Sequence, residues 1–397
     1  MSQDASIATS ASQRPPFWRD VRVIAIFGQI IFILIVSLVA GFLYANVTSG
    51  LDRLGATVGY GFMDRTAGFE ISLTPISYSP SDTYWNAFQV GVVNTLNVII
   101  VGVLLATLVG IFVGISQLSS NWLVAKLAQT YVAIFRNMPL LVQLFFWYQA
   151  VFLSLPRVQD AIEFPGPAYL SIRGVSMAGP IPGETFSIWL GFVGVGVAIS
   201  WGVSYWLKRR QNATGRQSPR FLIACAIILT SAVVGLALLR PLPLVWSVPE
   251  QTGFNFSGGI RLSPEYAALL IGLVAYTGAF IAENVRAGIQ GVSKGQSEAS
   301  RALGLSAGQS MRLVILPQAL RIIIPPTTNQ YLNLAKNSSL AFAIAYPDLF
   351  AVARTIFNQT GQTVQIIGLI MVSYLIISLV TSVLMNLYNR SVRLVER

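Results

Sequence analysis

The chain alternates long apolar runs with shorter polar breaks. At 1.5 Å per residue, about 20 apolar residues in a helix cross the hydrocarbon layer of a bilayer. Runs near or above that length fall at residues 21–45, 87–115, 123–155, 185–207, 221–239, 265–288, 322–345 and 364–387, and predict eight membrane spans. The first run is long and lacks a small-residue cleavage pattern, so it reads as an uncleaved anchor. Residues 1–20, rich in Ser, Ala and Gln with Pro15 and Pro16, read as a cytoplasmic tail, and 393–397 as another. Residues 46–82, 156–184 and 240–263 read as outer loops. The most polar interruption is SKGQSEASRALGLSAGQSMRLVILPQAL, residues 293–320. Ser293 with Gln296, and Ser306 with Gln309, have the spacing of capping boxes, and Gly304 suits a left-handed stop. This pattern predicts a short helix from Lys294, a tight turn, and a second helix running toward Leu316-Pro317. The result is a compact knob between two spans.

Composition strengthens the membrane reading. Hydrophobic residues make up 54% of the 397 and charged residues only 10%, against about 25% charged in soluble domains. The excess of 26 Lys and Arg over 15 acids raises the possibility of nucleic acid, but most of these cations flank apolar runs, as membrane topology requires. Cations gather at Lys208-Arg209-Arg210, Arg216 and Arg220, and through Arg286, Lys294, Arg301, Arg312 and Arg321. The opposite side holds the sparser Arg53, Arg65, Arg157, Arg173, Arg240, Arg261 and Arg354. The positive-inside rule then puts both termini and the knob in the cytosol. Cys225 is the single cysteine, which rules out a disulfide within the chain, and its apolar neighbours predict a small buried side chain. With no histidine, Ser-His-Asp chemistry is excluded, and zinc or haem ligation is not expected. With no Gly-Lys dipeptide there is no P-loop for ATP.

Two cations fall inside apolar runs: Arg136, within RNMP, and Lys336, within AKNSS. A charge at such depth costs a few kcal/mol on insertion scales and faces the bundle interior or a wet path. One reading pairs these cations with carbonyls at helix breaks. The other has them line a route for a solute carboxylate, with Gln143, Asn337, Ser338 and Ser339 as hydrogen-bonding neighbours. Pro139 is expected to loosen the local helix. Asn94 and Asn97 either line the same path or bind helices together. Glu283 and Arg286, three apart, predict an ion pair on a helix surface. An ion-coupled secondary carrier or channel is the rival reading, and it requires acidic relays at mid-depth, where the sequence offers none.

Ser297-Glu298-Ala299-Ser300, then Gly304 and Val314-Ile315-Leu316-Pro317, resemble the EAA loop of ABC-transporter permeases, with Ser300 at the usual second Ala. The wider string GQSEASRALGLSAGQSMRLVILPQALRIIIPP resembles the polar-amino-acid branch of that family. Arg136-Asn137-Met138-Pro139-Leu140-Leu141-Val142-Gln143 resembles its RGTPLLVQ motif, departing at Asn137 and Met138, and residues 334–340 resemble its LKxSSL segment. The Arg-Asn-hydrophobe-Pro variant, the turn at 346–349 and the added spans are similar to general L-amino-acid permeases of the Aap/Bzt type.

This resemblance implies an all-α polytopic bundle with the type I ABC importer permease fold. The core is then 85–155 and 264–392, carrying the coupling loop 293–320. An extra first span with its outer loop (21–84) and an insertion of two spans and outer loops (156–263) are added to it. The implied function is ATP-driven import of polar L-amino acids by alternating access. Glu298, Ala299, Ser300, Gly304 and Leu305 would couple to the ATPase, and Arg136, Gln143, Lys336, Asn337, Ser338 and Ser339 would line the substrate path. The implied partners are an ATPase dimer carrying ATP and Mg, a second permease chain (a paralogue), a periplasmic amino-acid-binding protein and the lipid of the inner membrane. The chain itself would hold no cofactor and bind no nucleic acid.

Overall fold

A computed structural model describes residues 21–53, 59–214 and 218–392. The two tails predicted at 1–20 and 393–397, and Arg216, lie outside the described residues. The chain divides into two units, Met1–Arg65 and Thr66–Arg397. In the first, α1 (Val21–Arg53) is apolar around its whole circumference, as a span surrounded by lipid should be. A short 3₁₀ turn follows at Gly61–Asp64.

The second unit opens its helical bundle with α2 (Tyr84–Ser116), where the Thr83 side chain accepts the Asn86 N–H at the first turn. Next come α3 (Trp122–Asn137) and the short α4 (Leu140–Phe145). The span predicted over 123–155 is therefore not one helix. Proline at 139 lacks an N–H and pushes the residue before it toward extended backbone. Met138 accordingly sits at ψ 130°, and beyond α4 the chain widens into a π turn at Phe146–Val151 and tightens into 3₁₀ at Phe152–Ser154.

The segments predicted as loops at 156–184 and 240–263 hold paired strands. β1 (Ile162–Phe164), β2 (Ala168–Ser171), β3 (Gly174–Met177) and β4 (Gly179–Pro182) precede the helices α5 (Phe186–Thr214) and α6 (Arg220–Leu238). β5 (Leu244–Ser247), β6 (Glu250–Thr252), β7 (Asn255–Ser257) and β8 (Ile260–Leu262) follow them. One antiparallel sheet has the order β1-β2-β3-β8, with Val175 opposite Leu262. β4 pairs β5, with Gly179 opposite Ser247, and β6 pairs β7. Strands from either side of the α5–α6 hairpin hydrogen-bond to each other, so both segments lie on the same side of the membrane. Cys225 lies on α6 and is exposed, not buried as the sequence suggests.

The bundle is completed by α7 (Pro264–Gln290), α8 (Lys294–Ala302), α9 (Ala307–Ser310), α10 (Leu316–Asn337), α11 (Leu349–Thr360) and α12 (Thr363–Val392). Its centre is α2 against α7, with α10 alongside. Ile99 and Ala106 of α2, Ile281 and Val285 of α7, and Ala319, Ile323 and Leu334 of α10 form one buried cluster. Gly114 permits the close approach of α2 to α7: a Cβ there would lie 2.7 Å from the Ala282 carbonyl oxygen. Among the described residues, six helices are long and apolar enough to cross a membrane, or seven spans if the pair 307–344 and 349–360, bent by 55°, counts as one. Six of the eight predicted spans correspond to these helices, the 322–345 run falls in the bent pair, and the 123–155 run is broken into short pieces.

Candidate functional site

The polar stretch 293–320 folds as a capped, cross-tied knob. Helix α8 begins at the predicted residue, although the Ser293 side chain makes no capping bond; only its carbonyl accepts the Gln296 N–H. It ends at Gly304, whose φ of +75° is left-handed backbone that suits glycine. The Leu305 N–H reaches the Ser300 carbonyl and the Gly304 N–H the Arg301 carbonyl, the two bonds of a Schellman stop. Helix α9 carries the full predicted capping box between Ser306 and Gln309. The second helix does not end at Pro317. A π turn at Met311–Ile315 widens the backbone ahead of the proline ring, and the helix continues as α10.

Two contacts fix the knob internally. The Ser300 and Ser310 hydroxyls hydrogen-bond to each other, joining α8 to α9. The Gln318 amide donates to Gln296 Oε1 at 3.1 Å and to the Val314 carbonyl at 3.0 Å, joining α10 to α8. Glu298, Ala299 and Gly304 are exposed and Leu305 is half-buried. Ser300 is only 2% exposed, so it is an internal pin and contributes no docking surface. Leu303 is 81% exposed at the turn. Its place one residue before the Gly304 stop is the signal in the sequence for this exposed apolar side chain.

A second site lies where α3 meets α7. A cleft of about 450 Å³ is lined by Gln117, Gln129, Arg136, Asn137, Phe280, Glu283 and Arg286, among others. The Arg286 guanidinium forks onto both carboxylate oxygens of Glu283, with Nε at 3.1 Å from Oε2, and also donates to Gln290 Oε1 at 2.9 Å. Arg136, at the end of α3 where Pro139 halts the helix, approaches the same carboxylate at 4.0 Å and lies over the Phe280 ring at 5.1 Å. Its side chain is 40% exposed and that of Glu283 25%, so the group is open to the cleft. Two guanidinia share one carboxylate, and the local excess of positive charge suits a carboxylate-bearing solute.

The other residues expected along a substrate path do not line this cleft. Gln143, 1% exposed, donates to the Phe135 carbonyl at 3.1 Å and the Met138 carbonyl at 3.0 Å, satisfying the end of α3 across the proline break. Lys336 and Asn337 close α10, where the helix tightens into 3₁₀ at Ser338–Ile344. Ser338 and Ser339 donate to the Ala335 and Lys336 carbonyls. Beside them, Tyr374 of α12 points its hydroxyl at Asp348, 3.5 Å away. Asp348 is 1% exposed and caps α11 by accepting the Ala351 N–H at 2.8 Å. Asn94 donates to the Leu73 and Pro347 carbonyls, and Asn97 accepts from Tyr266, so both join segments distant in sequence. Among the described residues no group of three or more His, Cys, Asp and Glu side chains is arranged to hold a metal ion.

Residues 106–396 match the family described as "Binding-protein-dependent transport system inner membrane component". The chain belongs to this family. This inner-membrane component is 46% identical over 374 residues to the putative amino-acid ABC transporter permease protein YhdX of Escherichia coli K12, covering 93% of this chain and 94% of that one. It is 44% identical to the general L-amino acid transport system permease protein AapQ of Rhizobium johnstonii, covering 95% and 94%. It is 38% identical to the glutamate/glutamine/aspartate/asparagine transport system permease protein BztB of Rhodobacter capsulatus, covering 95% and 96%. Membership places the chain among membrane transport subunits and not enzymes, and in binding-protein-dependent transport and not ion-coupled carriage.

Proposed function

We propose that this inner-membrane component is the permease subunit of an ATP-driven importer of polar L-amino acids. The exposed knob at 294–315 carries the reading. Its Schellman stop, capping box and serine pin make a rigid body, and Glu298, Ala299 and Leu303 supply an outward surface for an ATPase subunit to hold. The chain has no P-loop, so ATP and Mg belong to that partner, in two copies. A second permease chain, taken as a paralogue, and a periplasmic amino-acid-binding protein complete the assembly. Both termini and the knob face the cytosol, following the distribution of cations.

Movement of the knob is transmitted directly. Helix α10 continues from the π turn without a loop, and α8 follows α7 after a break of a few residues, so a pull on the knob acts on two of the helices that pack against α2. Helix α7 carries Glu283 and Arg286, so the same motion changes the cleft where Arg136 meets them. That cleft serves the substrate path, with Arg136 attracting the carboxylate of the amino acid. The 336–339 segment, at the point where α10 changes to 3₁₀, is the second place where the path is lined.

The test is uptake into liposomes holding the permease with its co-purified ATPase. Labelled glutamate or glutamine should accumulate only with ATP on the knob side and the binding protein on the other. Uptake driven by an ion gradient, with no ATP and no binding protein, would overturn the proposal.

A further inference from the structure

The hairpin α5–α6 ends in a basic cluster that neither the knob nor the cleft uses. Its two helices pack closely along small residues: Gly196 faces Ser231, Gly235 faces Trp189, and the Trp189 indole donates to the Ala232 carbonyl at 2.9 Å. The outward faces carry large apolar side chains, with Trp201 and Phe221 each 78% exposed. Lys208, Arg209 and Arg210 stand in the last turns of α5, and Arg220 opens α6 at the same end. The sequence holds no acidic residue between Glu184 and Glu250. None of the ion pairs among the described residues involves these four cations.

Two of the cations are held by aromatic rings. The Arg209 guanidinium lies over Tyr205 at 4.9 Å and the Arg210 guanidinium over Trp206 at 5.5 Å. Each ring is four residues back along the helix, toward the apolar span, so the guanidinia are drawn to the boundary where tyrosine and tryptophan favour lipid headgroups. A stacked guanidinium keeps its N–H edges free, and these suit the paired oxygens of a phosphate. Leu207 between them is 7% exposed and anchors the inner face of the hairpin, leaving the flanking rings and cations outward.

We infer that this end of the hairpin is a binding surface for anionic phospholipid headgroups, which fixes the inserted spans beside the transport core. Clustered cations just beyond a span attract an anionic leaflet by about fivefold in affinity for each Lys or Arg. The preference comes from net charge, so a zwitterionic phosphate headgroup satisfies it poorly. The inference requires that α5 and α6 cross the membrane and does not depend on which solute the protein carries.

Cys225 provides the probe. It is exposed on α6, about one and a half turns from Arg220, and is the single cysteine of the chain. The full transport complex is labelled there with a fluorophore and placed in bilayers containing brominated phosphatidylglycerol or brominated phosphatidylcholine. Both lipids carry a phosphate, and they differ in net charge. Quenching should favour phosphatidylglycerol severalfold, and this preference should fall near parity in the Lys208→Gln/Arg209→Gln/Arg210→Gln variant. In wild type it should also weaken at high salt, a control that needs no variant. Inorganic phosphate, exchanged for chloride at matched ionic strength, should leave it unchanged; loss of the preference to free phosphate under that condition would assign the cluster to soluble anions and overturn the inference. Equal quenching by the two lipids in wild type would also overturn it, as would a triple variant that keeps the preference. A triple variant that sheds a partner protein while lipid preference is unchanged would assign the surface to that protein instead.

Discussion

At the scale of single residues, the arrangement to explain is one carboxylate shared by two guanidinia. Glu283 holds Arg286 by a two-point fork and Arg136 by a longer contact across the cleft. Replacing Glu283 with Gln would leave two partly exposed cations facing each other, so uptake should fall at least tenfold. Membrane insertion should be unchanged, because the group is water-accessible. Arg286→Lys, which keeps the charge and loses the fork, should cost less; equal losses in the two variants would remove the case for the fork. Gln143 makes a different prediction. Its amide satisfies two carbonyls at the α3 break, so Gln143→Leu should destabilise the protein by about 1–3 kcal/mol. The check is thermal unfolding in detergent, and an unchanged midpoint would show that the cap contributes nothing. The sequence marks Arg136 and Gln143 as polar residues in apolar surroundings and Glu283 as half of a helix-surface ion pair, but it does not separate a cleft residue from a cap. Both positions select a polar group inside a span, and only the geometry of the Pro139 break distinguishes them.

At the scale of elements, the knob was the most legible part of the chain. The Gly304 stop and the Ser306–Gln309 box follow from local backbone chemistry, which a sequence states directly; α8 starts at the expected residue, but without a capping bond from the Ser293 side chain. Its interior was not legible, since the Ser300–Ser310 contact depends on how the two helices fold together. Gly304→Pro forces φ to about −65° and removes the N–H donated to Arg301, so it should abolish transport while leaving insertion intact. Normal uptake by this variant would show that the knob does not act as a rigid lever. The serine pair allows a finer test. Ser300→Ala alone strands the buried Ser310 hydroxyl and should cost about 1–3 kcal/mol, whereas replacing both serines by Ala should cost much less. Additive losses in a double-mutant comparison would mean that the two hydroxyls do not act as a pair. The helix toward Leu316-Pro317 continues through the proline because the π turn ahead of the ring supplies space that a regular α-helix lacks.

At the scale of the whole molecule, hydropathy located the spans well, because a bilayer requires about 20 apolar residues wherever a helix crosses. It failed where a span is not one helix. The Pro139 break converts a long apolar run into four short pieces that no hydropathy window separates. The β structure of the insertion was invisible for another reason: its strands have three or four residues, and β3–β8 and β4–β5 pair across the whole α5–α6 hairpin. The bundle, the cleft and the knob together describe a subunit that receives work from outside itself. The most direct measurement is to purify the tagged chain from its native membrane in mild detergent and identify what stays bound by mass spectrometry. The account predicts a P-loop ATPase in stoichiometric amount from wild type and its loss on Glu298→Arg. A chain recovered alone that still carries amino acids in ATP-free vesicles would contradict it.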